Sequence, residues 1–198
     1  MKKQIILFFI ASYLLSFSSF AQLNKNTWLV GGSGSFSSNN SNYTSNTLVI
    51  DTKVTEVKMT PNIGYFIIDK FALGLKSTFS WIKVKAVSAN TGTSNTIRFD
   101  YGPFLRYYFL EKEKPFNIMI DLAYQFGNAK FTSNVKGKRN DFSVMAGPVL
   151  YFNSSVGFEF LVGYKYASEK QTISADPLKS TIKGLQAAIG LQIHFEKL

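Results

Sequence analysis

Few residues in this chain are of the kinds that do chemistry. His194 is the only histidine, and the absence of cysteine removes thiol nucleophiles, thiolate metal sites and disulfides. Charged side chains are the remaining candidates: Glu56 with Lys58, Arg98 with Asp100, and, more widely set, Lys76, Arg106, Asp121, Glu159 and Lys165. Carboxylates held close together can serve as acid and base. Here four acids stand against five bases, a nearly balanced set better suited to neutralising itself than to moving protons. A histidine acts as a general base when a nucleophile and an orienting carboxylate accompany it. No Ser/His/Asp set accompanies His194, so a packed interior position is expected for it. Gly31-Gly-Ser-Gly34 has the glycines of a phosphate cradle without the lysine and helix that should follow, and close backbone packing is the expected reason for it. The residues therefore predict no catalytic, cofactor or metal site.

A period of two positions these charges. In the last stretch Leu185, Ala187, Ile189, Leu191, Ile193 and Phe195 alternate with Gly184, Gln186, Ala188, Gly190, Gln192 and His194. That is a strand with one oily and one small, polar face. Phe71 to Trp81, Phe116 to Phe126 and Phe158 to Tyr164 repeat the pattern, and all nine charges fall in the polar phase. Strands are expected near Asn26 to Phe36, Lys53 to Ile67, Phe71 to Lys85, Thr96 to Phe109, Phe116 to Gly127, Asp141 to Phe152, Ser155 to Tyr166 and Thr181 to Phe195. Tight turns (Ile68 to Lys70, Leu110 to Pro115, Asn153 to Ser154) alternate with long polar connections (Ser37 to Thr52, Ala86 to Asn95, Asn128 to Asn140, Ala167 to Ser180). This alternation is that of an all-β, eight-stranded antiparallel up-and-down transmembrane β-barrel. About eleven residues at 3.3 Å, tilted near 45°, rise roughly 25 Å, the height of a hydrocarbon band. The 19 Phe and 10 Tyr also favour pleated, half-buried surfaces.

A repeat fixes the register. Pro61-Asn-Ile-Gly-Tyr65, Pro103-Phe-Leu-Arg-Tyr107, Pro148-Val-Leu-Tyr-Phe152 and Leu191-Gln-Ile-His-Phe195 recur every 42 to 45 residues. Each ends on an aromatic, so Tyr65, Tyr107, Phe152 and Phe195 are expected to form half of an interfacial girdle. Because each proline removes a ladder donor, a shared bulge or bend is expected at Pro61, Pro103 and Pro148. Eight strands leave an interior that side chains fill, so the lumen charges Glu56, Lys58, Lys76, Arg98, Asp100, Arg106, Asp121, Glu159 and Lys165 predict a salt-bridged plug.

Residues 1–21 read as a cleaved signal peptide: Lys2 and Lys3, an apolar run from Ile5 to Leu15, then Ser19-Phe-Ala21, with cleavage before Gln22 and a barrel domain over 22–198. Removing Lys2 and Lys3 lowers the formal charge from +10 to +8. Much of the remainder lies at strand ends and loops, at Lys53, Lys83, Lys85, Lys130, Lys136, Lys138, Arg139, Lys170 and Lys179. A basic rim there could bind the phosphates of anionic outer-membrane lipid, or merely keep the rim soluble. Nucleic acid is not expected, for want of a reading helix or stacking platform. The Asn, Ser and Thr-rich stretch Ser37 to Thr47 is expected to be an exposed loop and the place for a protein partner.

The segment Pro61-Asn-Ile-Gly-Tyr-Phe, an Asp-bearing turn and Phe71-Ala-Leu-Gly-Leu resembles the outer-membrane β-barrel domain family common in Bacteroidota, over nearly the whole mature chain. The resemblance implies a small eight-stranded barrel inserted by the barrel assembly machinery, with both termini periplasmic. Assembly signals in such proteins usually end on an aromatic; here Glu196, Lys197 and Leu198 follow Phe195. The expected role is structural or in surface interaction, without catalysis. The competing readings are a narrow porin-like channel, a lipid-modifying enzyme using His194, and a soluble periplasmic ligand-binding barrel.

Overall fold

The structure, a computed structural model, describes residues 23–45, 48–86, 93–131, 136–171 and 178–196. The expected signal peptide and its cleavage site lie outside these residues. Eight antiparallel strands follow one another in chain order and close into a barrel: β1 (Thr27–Ser45), β2 (Leu48–Ile68), β3 (Phe71–Ala86), β4 (Thr93–Tyr108), β5 (Phe116–Phe131), β6 (Lys136–Tyr151), β7 (Val156–Gln171) and β8 (Leu178–Glu196). Among the described residues there is no helix.

The oily phase points outward. Leu185 is 90% exposed and Ile189 54%, whereas Arg106 and Asp121 are 2% and 1% exposed. The three tight turns come where expected. Lys70 occupies the left-handed position of the β2–β3 turn (φ 65°), and Asn153 Oδ1 accepts from the backbone N–H groups of Ser155 and Val156 at 2.8 Å, closing the turn before β7. Thr27 pairs with Glu196, so β1 begins and β8 ends at the turn end of the barrel.

The other end differs from the expectation. Three of the four long connections are mostly strand: β1 stays paired with β2 as far as Ser45 with Leu48, β5 with β6 as far as Lys130 with Lys136, and β7 with β8 as far as Gln171 with Leu178. Ser37 to Ser45 is thus half of a tall hairpin and no loop. The reason is physical: a run of Asn, Ser and Thr has no oily phase to read, yet its backbone still completes the ladder.

The prolines are also handled differently. Pairing lapses at Pro61 between β2 and β3, at Pro103 between β4 and β5 and at Pro148 between β6 and β7, and resumes in the same register each time. Each proline keeps its ladder on the other side, as in Gly32 with Pro61. The expected bulge is absent there; the one register shift lies at Phe66/Ile68, beside the turn. A missing donor removes hydrogen bonds on one side without forcing an extra residue into the strand.

Closure of the barrel is partial. β1 pairs with β8 from Thr27 with Glu196 to Gly34 with Ile189. Beyond Gly34, β1 continues against β2 alone, and the part of β8 before Ile189 lies against β7 alone. The wall therefore has a seam, zipped at the turn end and open above it.

Candidate functional site in the barrel interior

The interior is layered. At the turn end it is apolar: Leu29, Phe66, Ala72, Tyr108, Met119, Val149 and Tyr151 form one buried cluster. Leu23, fully buried, closes it from below. The segment carrying Leu23 is stitched across the β2–β3 turn, for Lys70 N–H donates to Leu23 O at 2.8 Å and Lys25 N–H to Asp69 Oδ1 at 2.8 Å. His194, 1% exposed, has its ring within this layer, 5.7 Å from Phe66 and Tyr151 and 6.2 Å from Tyr108. It faces inward at the turn end, enclosed by three rings.

Above this layer Arg106 bridges two carboxylates. Its Nη2 lies 2.9 Å from Asp121 Oδ2 and its Nη1 2.9 Å from Glu159 Oε1. Lys76 takes the other Asp121 oxygen, and Gln192 Nε2 donates to Glu159 Oε2 at 3.3 Å. Both cations lie over the Phe104 ring, Lys76 Nζ at 4.8 Å and Arg106 Cζ at 5.4 Å from its centre. The ring fits because its neighbours are small: a Cβ on Gly74 would come within 2.6 Å of it and one on Gly64 within 2.9 Å.

A second layer of charge follows toward the loop end. Arg139 Nη2 lies 2.7 Å from Asp141 Oδ2 and its Nε 3.5 Å from Asp100 Oδ2. Arg98 Nη2 reaches Glu169 Oε2 at 3.2 Å and Lys165 Nζ reaches Asp141 Oδ2 at 2.9 Å. Lys58 and Glu56 pair at 3.2 Å nearer the seam. The structure thus gathers all nine sequence-predicted lumen charges inside and divides them between two layers, with Glu56 and Lys58 at the edge.

Sequence reasoning missed Arg139, Asp141 and Glu169, each at most 3% exposed. Arg139 lies on the expected rim and Glu169 in an expected loop because the strands extend further than their oily phase does. It also missed the apolar layer, although the inward positions nearest the turns (Leu29, Phe66, Tyr108, Tyr151) are apolar in the sequence. Every carboxylate in the two layers faces a guanidinium or ammonium, an arrangement that neutralises charge. The space left between the layers is about 60 Å³, room for a few waters. Among the described residues no group of His, Asp or Glu is arranged to hold a metal ion.

Outward aromatics lie at two heights. At the turn end Trp28 sits in register between Tyr65 and Phe195, its ring 4.9 Å from that of Tyr65, whose hydroxyl donates to Asn26 Oδ1 at 3.0 Å. Tyr107 and Phe195 are exposed at the same end, as is Phe152 just beyond β6. A second set toward the loop end, with Trp81, Phe99, Phe126 and Phe142 exposed, was not foreseen.

Among solved structures the chain is similar to the outer membrane protein OprG from Pseudomonas aeruginosa, with a TM-score of 0.62 and 14% identity over 90% of this chain and 100% of that one. The fold is that of an outer-membrane β-barrel. At this identity the likeness is one of fold alone. Neisserial surface protein A (NspA) is a second similar structure, with a TM-score of 0.46, 12% identity, and coverage of 85% of this chain and 97% of its own. No protein-family profile matches the chain. No curated protein matches it.

Proposed function

We propose that this protein is an integral outer-membrane barrel of the type its repeat resembles in Bacteroidota. In this reading it is exported by a cleaved signal peptide and inserted by the barrel assembly machinery. The turn end and both termini are periplasmic, the lumen is plugged, and the role is structural or in surface interaction, without catalysis. The observation that carries the reading is the inverted packing: Leu185 at 90% exposure against Arg106 at 2%. A water-soluble barrel gains nothing from that arrangement, whereas acyl chains solvate an oily wall and the ionised groups stay enclosed. Tyr65, Tyr107, Phe152 and Phe195 would mark the inner interface, and Trp81 and Phe126 the outer.

The basic rim fits anionic lipid. Register sets Lys53 opposite Lys85, Lys138 opposite Lys170, and Lys170 opposite Lys179. Like charges placed directly across a ladder are unfavourable unless something neutralises them, and lipid phosphates would. A nucleic-acid partner has no such support; a protein partner would meet the tall β1–β2 hairpin.

Membrane fractionation with heat-modifiable gel mobility tests the reading. The full chain should fractionate with outer membranes, need detergent for extraction, and run faster unheated than boiled. Release by carbonate without detergent would overturn the membrane assignment. In planar bilayers the folded protein should give no steady conductance; a reproducible open state would make it a narrow pore.

A further inference from the structure

The open part of the β1–β8 seam joins two cavities, one apolar and one that also carries charge. On the outer wall lies an apolar groove of about 690 Å³, bordered by Phe36, Val57 and Met59 on one side and Phe160, Val162 and Ile189 on the other. Inward-facing Ser35, Lys58, Leu161 and Ala188 also line it, so the groove passes between the strand edges toward the lumen. Beside it is a chamber of about 400 Å³ lined by Glu56, Lys58, Lys165, Lys183 and Gln186 together with the apolar Phe36, Leu185 and Ala187. The two share Ser35, Phe36, Lys58 and Ala187.

The glycines show where the wall parts. A Cβ built on Gly31, in the zipped half, would lie 2.2 Å from Leu191 O. On Gly34 its nearest neighbour would be Lys58 O at 3.8 Å, and on Gly184 it would meet nothing within 4 Å.

We propose that this seam binds a single-chain anionic lipid of the fatty-acid class, with its alkyl tail in the outer groove and its carboxylate in the basic chamber. The inference rests on the membrane reading above, which puts the groove in contact with acyl chains. Charge complementarity selects the head group. Three lysines line the chamber against one acid, Glu56; Lys58 pairs with Glu56 and Lys165 with Asp141, while Lys183 is exposed and, among the described residues, has no carboxylate within ion-pair distance. The shape selects one tail, since the groove is a slot between two strand edges and within the usual size of a small-ligand site. A neutral amphiphile would leave Lys183 unanswered.

Native mass spectrometry of the full-length folded protein in a non-ionic detergent tests this, with palmitate and hexadecanol as probes. Wild-type protein should retain one palmitate about tenfold more strongly than hexadecanol. Gly34→Trp fills the groove from an open position and should lower palmitate retention about tenfold. Lys183→Gln should cut the preference over the alcohol several-fold, and Lys58→Gln with Lys183→Gln should abolish it. Ile118→Trp, on β5 across the barrel, should change nothing. Unheated gel mobility establishes for each variant that the barrel is folded. Equal retention of acid and alcohol, or retention indifferent to Gly34→Trp, would overturn the proposal. So would a wild-type dimer closed through the seam edges, which would make the seam a strand-pairing site. Any of these results with normal heat-modifiable mobility refutes the lipid site and leaves the membrane reading standing; a chain that stays soluble without detergent refutes that reading instead.

Discussion

Arg106 shows how much a single side chain carries in a narrow interior. It faces Asp121 and Glu159 at once, and both carboxylates are buried. Arg106→Met should therefore destabilise the barrel by about 3–5 kcal/mol in urea titrations of the micellar protein, because the cost is that of stranded charge. Adding Glu159→Gln should recover most of the loss, since Lys76 still answers Asp121. If the double variant is as unstable as the single one, the packing of Arg106 matters and its charge does not. The inward direction of these residues was legible from phase alone. Their partners were not: that Lys76 and Arg106 share Asp121 depends on which strands become neighbours and at what register, and alternation within one strand carries neither. Leu23 was illegible for another reason, since nothing in a single leucine before the first strand says that it closes a barrel from below.

At the scale of the strand, what could be read was whatever the oily phase marked. Each strand was found, each turn came in place, and the two ends were told apart. The upper strands were lost because Asn, Ser and Thr on both faces look like loop, and with them went Arg139 and Glu169. The prolines were recognised as a recurring device; of the expected bulge or bend, the bulge is absent, for the ladder simply lapses on one side and keeps step. A consequence can be measured. Pro103→Val supplies an N–H toward β5, where pairing lapses between Tyr101 and Phe104, and should raise stability by about 1 kcal/mol in the same urea titration. A loss would mean that this backbone is shaped by the ring in a way the ladder cannot tolerate losing.

As a whole the molecule is dry at one end and ionic at the other, and its outer surface is oilier than much of its inside. That inversion decides the solvent it was made for, and it was the most legible property of all, because it needs only the period of two and a count of which phase holds the charges. The incomplete closure was the least legible, since strands that stop pairing leave no mark on their own composition.

The uneven zipping has a mechanical side. Seven of the eight strand junctions run the length of the wall, the β1–β2 junction holding eighteen residue pairs, while β1 and β8 are joined by eight. A cylinder built this way has a tear line. Thermal agitation or an applied pull should peel it there first, opening the hoop into a curled sheet whose other joints still hold, so that those amide hydrogens of residues 28–34 and 189–195 that donate across this junction trade with deuterated solvent well before those buried between β4 and β5.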